Sequence, residues 1–253
     1  MGKPSSGTIS LGGSSACDLR QRTKVHVVKN RKVAIIGCGG FGREVLWLIR
    51  NHNDAVKLRK NRSTEVYDVV GFVDDDVAMH GKTLCDVPVL GSEDWLLAHK
   101  GVCAVCAVGD PRARIRVTSR LQRSGVVFPT LIDPSVRMSS FVEIGAGAVI
   151  CAGTIITTQV SIGNHVQINP NSTIAHDVVI HDYVTIAPAV NVSGTVEIGY
   201  GAYLGTNCSV IQNLRIGRGA IVGAGAVVDR DVEENVVSVG VPSRAIKKVT
   251  EPL

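Results

Sequence analysis

In the run Ile162-Gly-Asn-His-Val-Gln-Ile168-Asn-Pro-Asn-Ser-Thr-Ile174-Ala-His-Asp-Val-Val-Ile180-His-Asp-Tyr-Val-Thr-Ile186, an isoleucine returns at every sixth residue. Extended both ways, the row reads Ile144, Ile150, Ile156, Ile162, Ile168, Ile174, Ile180, Ile186, Val192, Ile198, Leu204, Val210, Ile216, Val222 and Val228, fifteen positions without a break. Two residues before each lies a second row, from Val142 and Ala148 to Ala220 and Ala226, mostly small or β-branched. A period of six is neither the 3.6 of a helix nor the 2 of a lone strand. It fits a triangular prism with three short strands per turn and about 18 residues per coil, aliphatic side chains stacked inside. Fifteen hexads predict five coils. Glycines after the aliphatic row, as at Gly145, Gly163, Gly199 and Gly217, are expected at the corners.

Upstream the pattern changes. Lys32–Ile36 reads as a short apolar strand, followed by Gly37-Cys-Gly39-Gly40-Phe41-Gly42 and a helical pattern over Arg43–Arg50. Val69–Val73 and Val102–Val108 predict two more strands, ending at Asp74-Asp75-Asp76 and at Gly109-Asp110, with a helix over Arg112–Gln122. This alternation predicts a small parallel sheet of Rossmann type. The expected organisation is a flexible tail over 1–31, an α/β Rossmann-like domain over 32–130, and a parallel β-helix with a C-terminal extension over 131–253.

Composition agrees. Of 253 residues, 45% are hydrophobic and only 4% aromatic, against 27 glycines. That suits a repetitive fold filled by Val and Ile and excludes a wholly disordered chain. No apolar run reaches the ~18 residues of a membrane span. The net charge of +5 is concentrated in residues 1–32, which hold seven basic residues and one acid, Asp18. The remainder is close to neutral and offers no basic face for nucleic acid. Seven cysteines, an odd number in a chain of this size with no export signal, point to reduced thiols and the cytoplasm. Cys103-Ala-Val-Cys106 has redox-motif spacing but lies in an apolar run and reads as a buried strand.

The hexads resemble the hexapeptide-repeat acyltransferases, whose fold is a left-handed parallel β-helix. With the glycine-rich unit in front, the chain resembles the bacterial acetyltransferases of nucleotide-linked 4-amino sugars and the related sialic acid O-acetyltransferases. The motifs GCGGFG (37–42), FVDDD (72–76), IAHDVVIHDYVTIAP (174–188) and VGVPSRAI (239–246) follow the family's order. The resemblance implies a homotrimer with active sites between neighbouring prisms. Acetyl-CoA would lie in the groove between them, and the nucleotide sugar would be held by the N-terminal domain.

His176 is two residues past Ile174, so it faces out of the prism, directly before Asp177 and among Asn169, Asn171, Ser172 and Thr173. Resemblance makes His176 the general base and Asp177 its acidic partner, where relatives often carry Glu. An imidazole titrating near neutrality suits removal of a proton from an amine attacking a thioester. Cys208 reads as core and Cys151 as a small corner residue, which leaves no nucleophilic cysteine. His176 and His181 have part of the spacing of a zinc site in hexapeptide-repeat carbonic anhydrases, but the third histidine is missing, so no metal is expected. His181 reads as a solvated corner residue. By resemblance, Thr185, Gly194, Thr206 and Ala224 line the pantetheine path.

Gly37, Gly39, Gly40, Phe41 and Gly42, between strand and helix, are suited to a diphosphate. Asp74 and Asp75 would take a ribose or base edge, with Gly109 nearby. An NAD-dependent enzyme is the rival for this half, but the unit is only about 100 residues with no second catalytic domain besides the prism. By resemblance, the leading expectation is acetyl-CoA-dependent N-acetylation of a nucleotide-linked 4-amino sugar. UDP is the commonest carrier, while GDP, dTDP and CMP stay open. Alternatives are O-acetylation of a sialic acid or other sugar hydroxyl, and a non-catalytic trimerisation module.

Overall fold

The computed structural model describes residues 29–58 and 65–253; the expected tail, but for its last three residues, and Cys17 lie outside the described residues. The chain opens with strand β1 (Lys29–Ile36), helix α1 (Gly40–Lys57) and strand β2 (Glu65–Val73). A small hairpin follows, β3 (Thr83–Leu84) with β4 (Val87–Pro88), then α2 (Asp94–Ala98), β5 (Cys103–Cys106) and α3 (Pro111–Arg123). Strands β2, β1 and β5 form a three-stranded sheet in that order, parallel throughout. Both parallel connections contain a helix, as crossovers require. Both cysteines of β5 are buried free thiols, as its apolar context predicts.

From Leu131 the backbone winds as a β-solenoid of the left-handed β-helix class. Its first face carries the rungs Leu131–Ile132, Val149–Ile150, Gln167–Ile168, Thr185–Ile186, Tyr203–Leu204 and Ile221–Val222. The second face runs from Arg137–Met138 to Val227–Val228, and the third from Val142–Ile144 to Arg215–Ile216. Rungs pair in register, Ile132 on Ile150 and Met138 on Ile156, so the solenoid makes about six turns where the hexad count gave five. The two extra rungs, Leu131–Ile132 and Arg137–Met138, escaped because Met138 stands where the rule demanded Ile, Leu or Val, and because that position is half-exposed at the open end of the stack.

Both aliphatic rows point inward and form one continuous core, from Ala148 and Ile150 to Ala226 and Val228. Each fully buried isoleucine in it contributes roughly 1.5–3 kcal/mol. Corners are turned by left-handed residues, three after each member of the aliphatic row from Ile144 to Val222: Gly147, Gly153, Gln159, His165, Asn171, Asp177, Tyr183, Ala189, Thr195, Gly201, Asn207, Asn213, Gly219 and Gly225. Gly, Asn and Asp fill nine of these fourteen positions because they accept positive φ at least cost. The glycines at 145, 163, 199 and 217 have another purpose. A Cβ on Gly145 would come within 2.6 Å of the Gly163 carbonyl carbon, so these glycines let one coil rest on the next.

The N-terminal unit sits on the first face. Leu131, Val149 and Cys151 share a buried cluster with Val33, Ile35, Val45, Leu46 and Phe72. Cys151 is therefore an element of the junction between the two units rather than a corner residue, and burial pushes its thiol up to about 12. Cys208 lies in the solenoid core as expected.

Candidate active site

His176 and Asp177 occupy the edge between the second and third faces, after the rung Thr173–Ile174 and before Val179–Ile180. Asp177 has φ 58°, the left-handed corner conformation, and this turn brings its carboxylate back to the preceding side chain. The Nδ1–H of His176 donates to Asp177 Oδ2 at 2.8 Å. A carboxylate can only accept, so the bond fixes the tautomer and leaves the Nε2 lone pair free. Both side chains are about half exposed. The imidazole lies over Gly194, one coil further on. A Cβ there would stand 2.5 Å from Cε1 and 2.6 Å from Nε2.

The other expected cofactor residues lie elsewhere. Thr206 and Ala224 are exposed on the edge between the first and second faces, stacked one coil apart. Thr185 is on the first face and nearly buried. Its hydroxyl donates to Gly109 O at 2.8 Å and accepts from Arg114 Nη2 at 2.9 Å, so its one proton is committed at the junction between the units. His181 bonds Glu197 Oε1 at 3.0 Å on the third face, half exposed. No group of three His, Cys, Asp or Glu suited to a metal occurs among the described residues.

The glycine loop divides its labour. Gly37 N donates to Val73 O at 2.8 Å, tying the loop to β2. A Cβ on Gly42 would stand 2.0 Å from Gly37 O, so helix and strand approach only because it is glycine. Gly39 and Gly40 instead face open space, with nothing within 4 Å of a notional Cβ. They begin α1, which has neither a side-chain cap nor an acid in its first turn. Its free N–H groups and dipole favour an anion. A cleft of about 340 Å³ opens here, with Arg43 and Asp76 on its rim.

Asp74 serves the loop itself. Oδ2 accepts from Cys38 N at 2.8 Å and Oδ1 from Asp76 N at 2.9 Å. Burial alone would raise its pKa, and these backbone donors outweigh burial and hold it below the usual value. Asp75 is exposed beside it.

A second cleft, of about 400 Å³, lies where the two units meet, and it gathers Phe41 and Gly109 from the N-terminal unit with Thr185 from the solenoid. The structure thus joins two sets of residues that the sequence treated separately. It also adds Glu44 and Tyr203, which sequence reasoning missed, and Asn169, which the sequence grouped with His176 but which follows the first-face rung Gln167–Ile168. His176 is not part of this cleft. The N-terminal unit covers the first face, and the edge bearing His176 is the one opposite that face in a three-sided prism.

Arg114 was missed as well. It lies on α3 and is buried, and the signal was available: Arg114, Thr118 and Leu121 form an i, i+4, i+7 stripe that is buried throughout.

Comparison with known proteins fits this architecture. The family described as the PglD N-terminal domain matches residues 32–121, and the bacterial transferase hexapeptide family (six repeats) matches 159–194. Among solved structures, perosamine N-acetyltransferase from Caulobacter crescentus, a mutant with one histidine changed to asparagine in complex with CoA and GDP-perosamine, is 30% identical with a TM-score of 0.76; the match covers 86% of this chain and 97% of that one. The acetyltransferase domain of PglB from Neisseria gonorrhoeae, in complex with acetyl coenzyme A, is 28% identical with a TM-score of 0.76, covering 86% of this chain and all of that one. WeeI from Acinetobacter baumannii is 32% identical with a TM-score of 0.74 over the same shares. No curated protein sequence gives a significant match. Identity of 30% and above over nearly the whole of such proteins, with both family matches in order, places this chain among the hexapeptide-repeat sugar acetyltransferases that carry a PglD-type N-terminal domain.

Proposed function

We propose that the protein transfers the acetyl group of acetyl-CoA to the amino group of a nucleotide-linked 4-amino sugar, with UDP as the first carrier to test. The observation that carries this reading is the His176–Asp177 pair, with Nδ1 committed to the carboxylate and Nε2 free at an exposed edge. A thioester is already activated, so direct attack by the amine needs a base and no covalent acetyl-enzyme. Nε2 of His176 accepts the amine proton as the C–N bond forms, and Asp177 offsets the charge the ring acquires. Coil N–H groups near Gly194 are suited to the tetrahedral oxyanion. The thiolate leaves with the proton that His176 returns.

The acceptor's diphosphate would rest on the Gly39–Gly40 end of α1, whose open N–H groups favour an anion. Asp75 would face the ribose or base, while Asp74 holds the loop in shape. Within one chain this loop and His176 stand on opposite sides of the prism. That separation supports a homotrimer in which one chain presents the sugar to the histidine of its neighbour. The CoA groove would then run between the Gly194 edge of one prism and the Thr206–Ala224 edge of another.

The test is acetyl transfer from labelled acetyl-CoA to UDP-, GDP-, dTDP- and CMP-linked amino sugars and to sialic acid. A hydroxylamine-stable product on one amino sugar supports the amide. A hydroxylamine-labile product formed only on sialic acid would replace the reading with O-acetylation. Absence of acetyl-CoA binding in a folded oligomer would leave a non-catalytic module.

A further inference from the structure

Arg114 is 1% exposed, and every hydrogen bond it makes goes to a neutral oxygen. Nη1 donates to Val108 O (2.7 Å), Gly109 O (3.1 Å) and Gln167 Oε1 (2.8 Å). Nε donates to His165 O (3.0 Å). Nη2 donates to Tyr183 O (2.7 Å), Val184 O (3.3 Å) and Thr185 Oγ1 (2.9 Å). Two of these acceptors belong to the loop after β5, and the other five to two successive coils of the solenoid. Burial brings the guanidinium down to about 10, which still leaves it charged at neutral pH.

A buried cation with no carboxylate partner is an expensive way to glue two surfaces. Apolar residues would hold them at lower cost, and Cys151, Val149 and Leu131 already do so beside it. What the guanidinium adds is direction. Its planar fork fixes the angle as well as the distance between the groups it bonds. Those groups flank the 400 Å³ cleft: Gly109 on one side, Gln167 and Thr185 on the other. The Thr185 hydroxyl closes the ring by donating to Gly109 O.

We propose that Arg114 is a positioning residue for acetyl transfer, setting where the Gly109 loop of the nucleotide side stands relative to the solenoid wall at Gln167 and Thr185. The proposal rests on the functional reading above for its substrates. A role in stability alone would lower the unfolding midpoint and leave the kinetic constants of folded enzyme untouched.

The test compares Arg114→Lys, which keeps the charge and loses the fork, with Thr185→Val, which removes only the bridging hydroxyl. Chains with native circular dichroism and elution volume are assayed against both substrates, and amide exchange is followed at Val108–Asp110. Expected for Arg114→Lys is a fall of roughly 30-fold in kcat/KM for the nucleotide sugar, with KM for acetyl-CoA within about twofold of native. Thr185→Val should fall about fivefold in the same sense. Exchange at Val108–Asp110 should quicken in both variants while α1 stays native. Folded variants with native constants and native exchange would overturn the proposal, and so would equal losses toward both substrates. Should Arg114→Lys not fold, Thr185→Val decides by the same criteria. Should the native chain acetylate no amino sugar, the functional reading fails, and exchange alone then decides whether Arg114 sets the loop.

Discussion

Replacing Gly194 by alanine places one methyl group where the His176 ring now rests. The added Cβ would stand 2.5 Å from Cε1, 2.6 Å from Nε2 and 3.0 Å from Nδ1. Ordinary contact begins near ~3.5 Å, so the ring must retreat by about 1 Å or turn about its χ angles. Gly194 has no positive φ, and the backbone itself therefore tolerates alanine. The half-exposed imidazole has room to move, so the stability change should stay within about 1 kcal/mol. Catalysis is less forgiving. A misplacement of about 1 Å in a catalytic group can cost roughly 100-fold. Gly194→Ala should therefore lose about 100-fold in kcat, approaching His176→Ala, with little change in the melting temperature. Release of CoA thiol from acetyl-CoA in the presence of a saturating acceptor, followed with a chromogenic disulfide, provides the rate. An alanine variant within threefold of native, beside an inactive His176→Ala, would refute the placement of the ring. A variant that keeps kcat but has a KM for acetyl-CoA raised roughly tenfold or more would show that Gly194 serves the cofactor path instead.

Two further outcomes follow from titrating groups. His165 is buried beside Arg114, and desolvation, then that positive charge, lowers its pKa from 6.5 to about 4. The unfolded chain binds the proton more readily, so stability is complete above about pH 6.5 and falls by about 2 kcal/mol at pH 5 and about 3 kcal/mol at pH 4. Denaturant midpoints across that range should show this slope, and His165→Phe should flatten it; an unchanged slope in the variant would assign the effect elsewhere. Asp74→Asn removes one of two backbone N–H acceptors, because the amide nitrogen can only donate. Nucleotide affinity measured by calorimetry should fall about tenfold, in line with loss of one hydrogen bond to a charged group. Native affinity would mean that the loop keeps its shape without the tether. Since the folded-state pKa of Asp74 is depressed, its contribution to stability is present above the unfolded value and fades as pH falls through the folded one.

The solenoid was legible because one geometric rule repeats: a residue inside the prism recurs every six positions, and from Ile144 to Val228 nothing breaks it. The rule also shows where reading stops. Met138 ended the count two rungs early, although its register on Ile156 is as regular as the rest. Nine of the fourteen left-handed corners were written in the sequence too, as Gly, Asn or Asp three residues after the aliphatic row. Attention to the glycines directly after that row hid them, since those glycines permit coil contact and not the turn. In the N-terminal unit the three strands and two main helices were foreseen. The hairpin of β3 and β4 and the five-residue α2 are too short to leave a periodic signal.

The candidate site was legible only where residues adjacent in sequence meet. His176 and Asp177 are adjacent, and the corner conformation of Asp177 makes their bond local. The junction was not legible, because Arg114 meets acceptors 51 to 71 residues away. On α3 it is one arginine among several, and only its helical spacing from Thr118 and Leu121 sets it apart. Resemblance places Thr185 on the cofactor path, and no sequence feature shows that its hydroxyl bridges Gly109 and Arg114.

The most direct measurement mixes two inactive chains. His176→Ala removes the base. Gly40→Glu adds a negative charge in open space at the start of α1, where the diphosphate is expected, and should leave the fold intact. Each variant alone should show no turnover of acetyl-CoA on the accepted amino sugar. If the base of one chain serves the sugar held by another, co-assembled chains mixed in equal amounts should regain up to about a quarter of native activity, from random pairing at the interfaces. Turnover by His176→Ala alone, or a mixture no more active than its parts, would contradict the account.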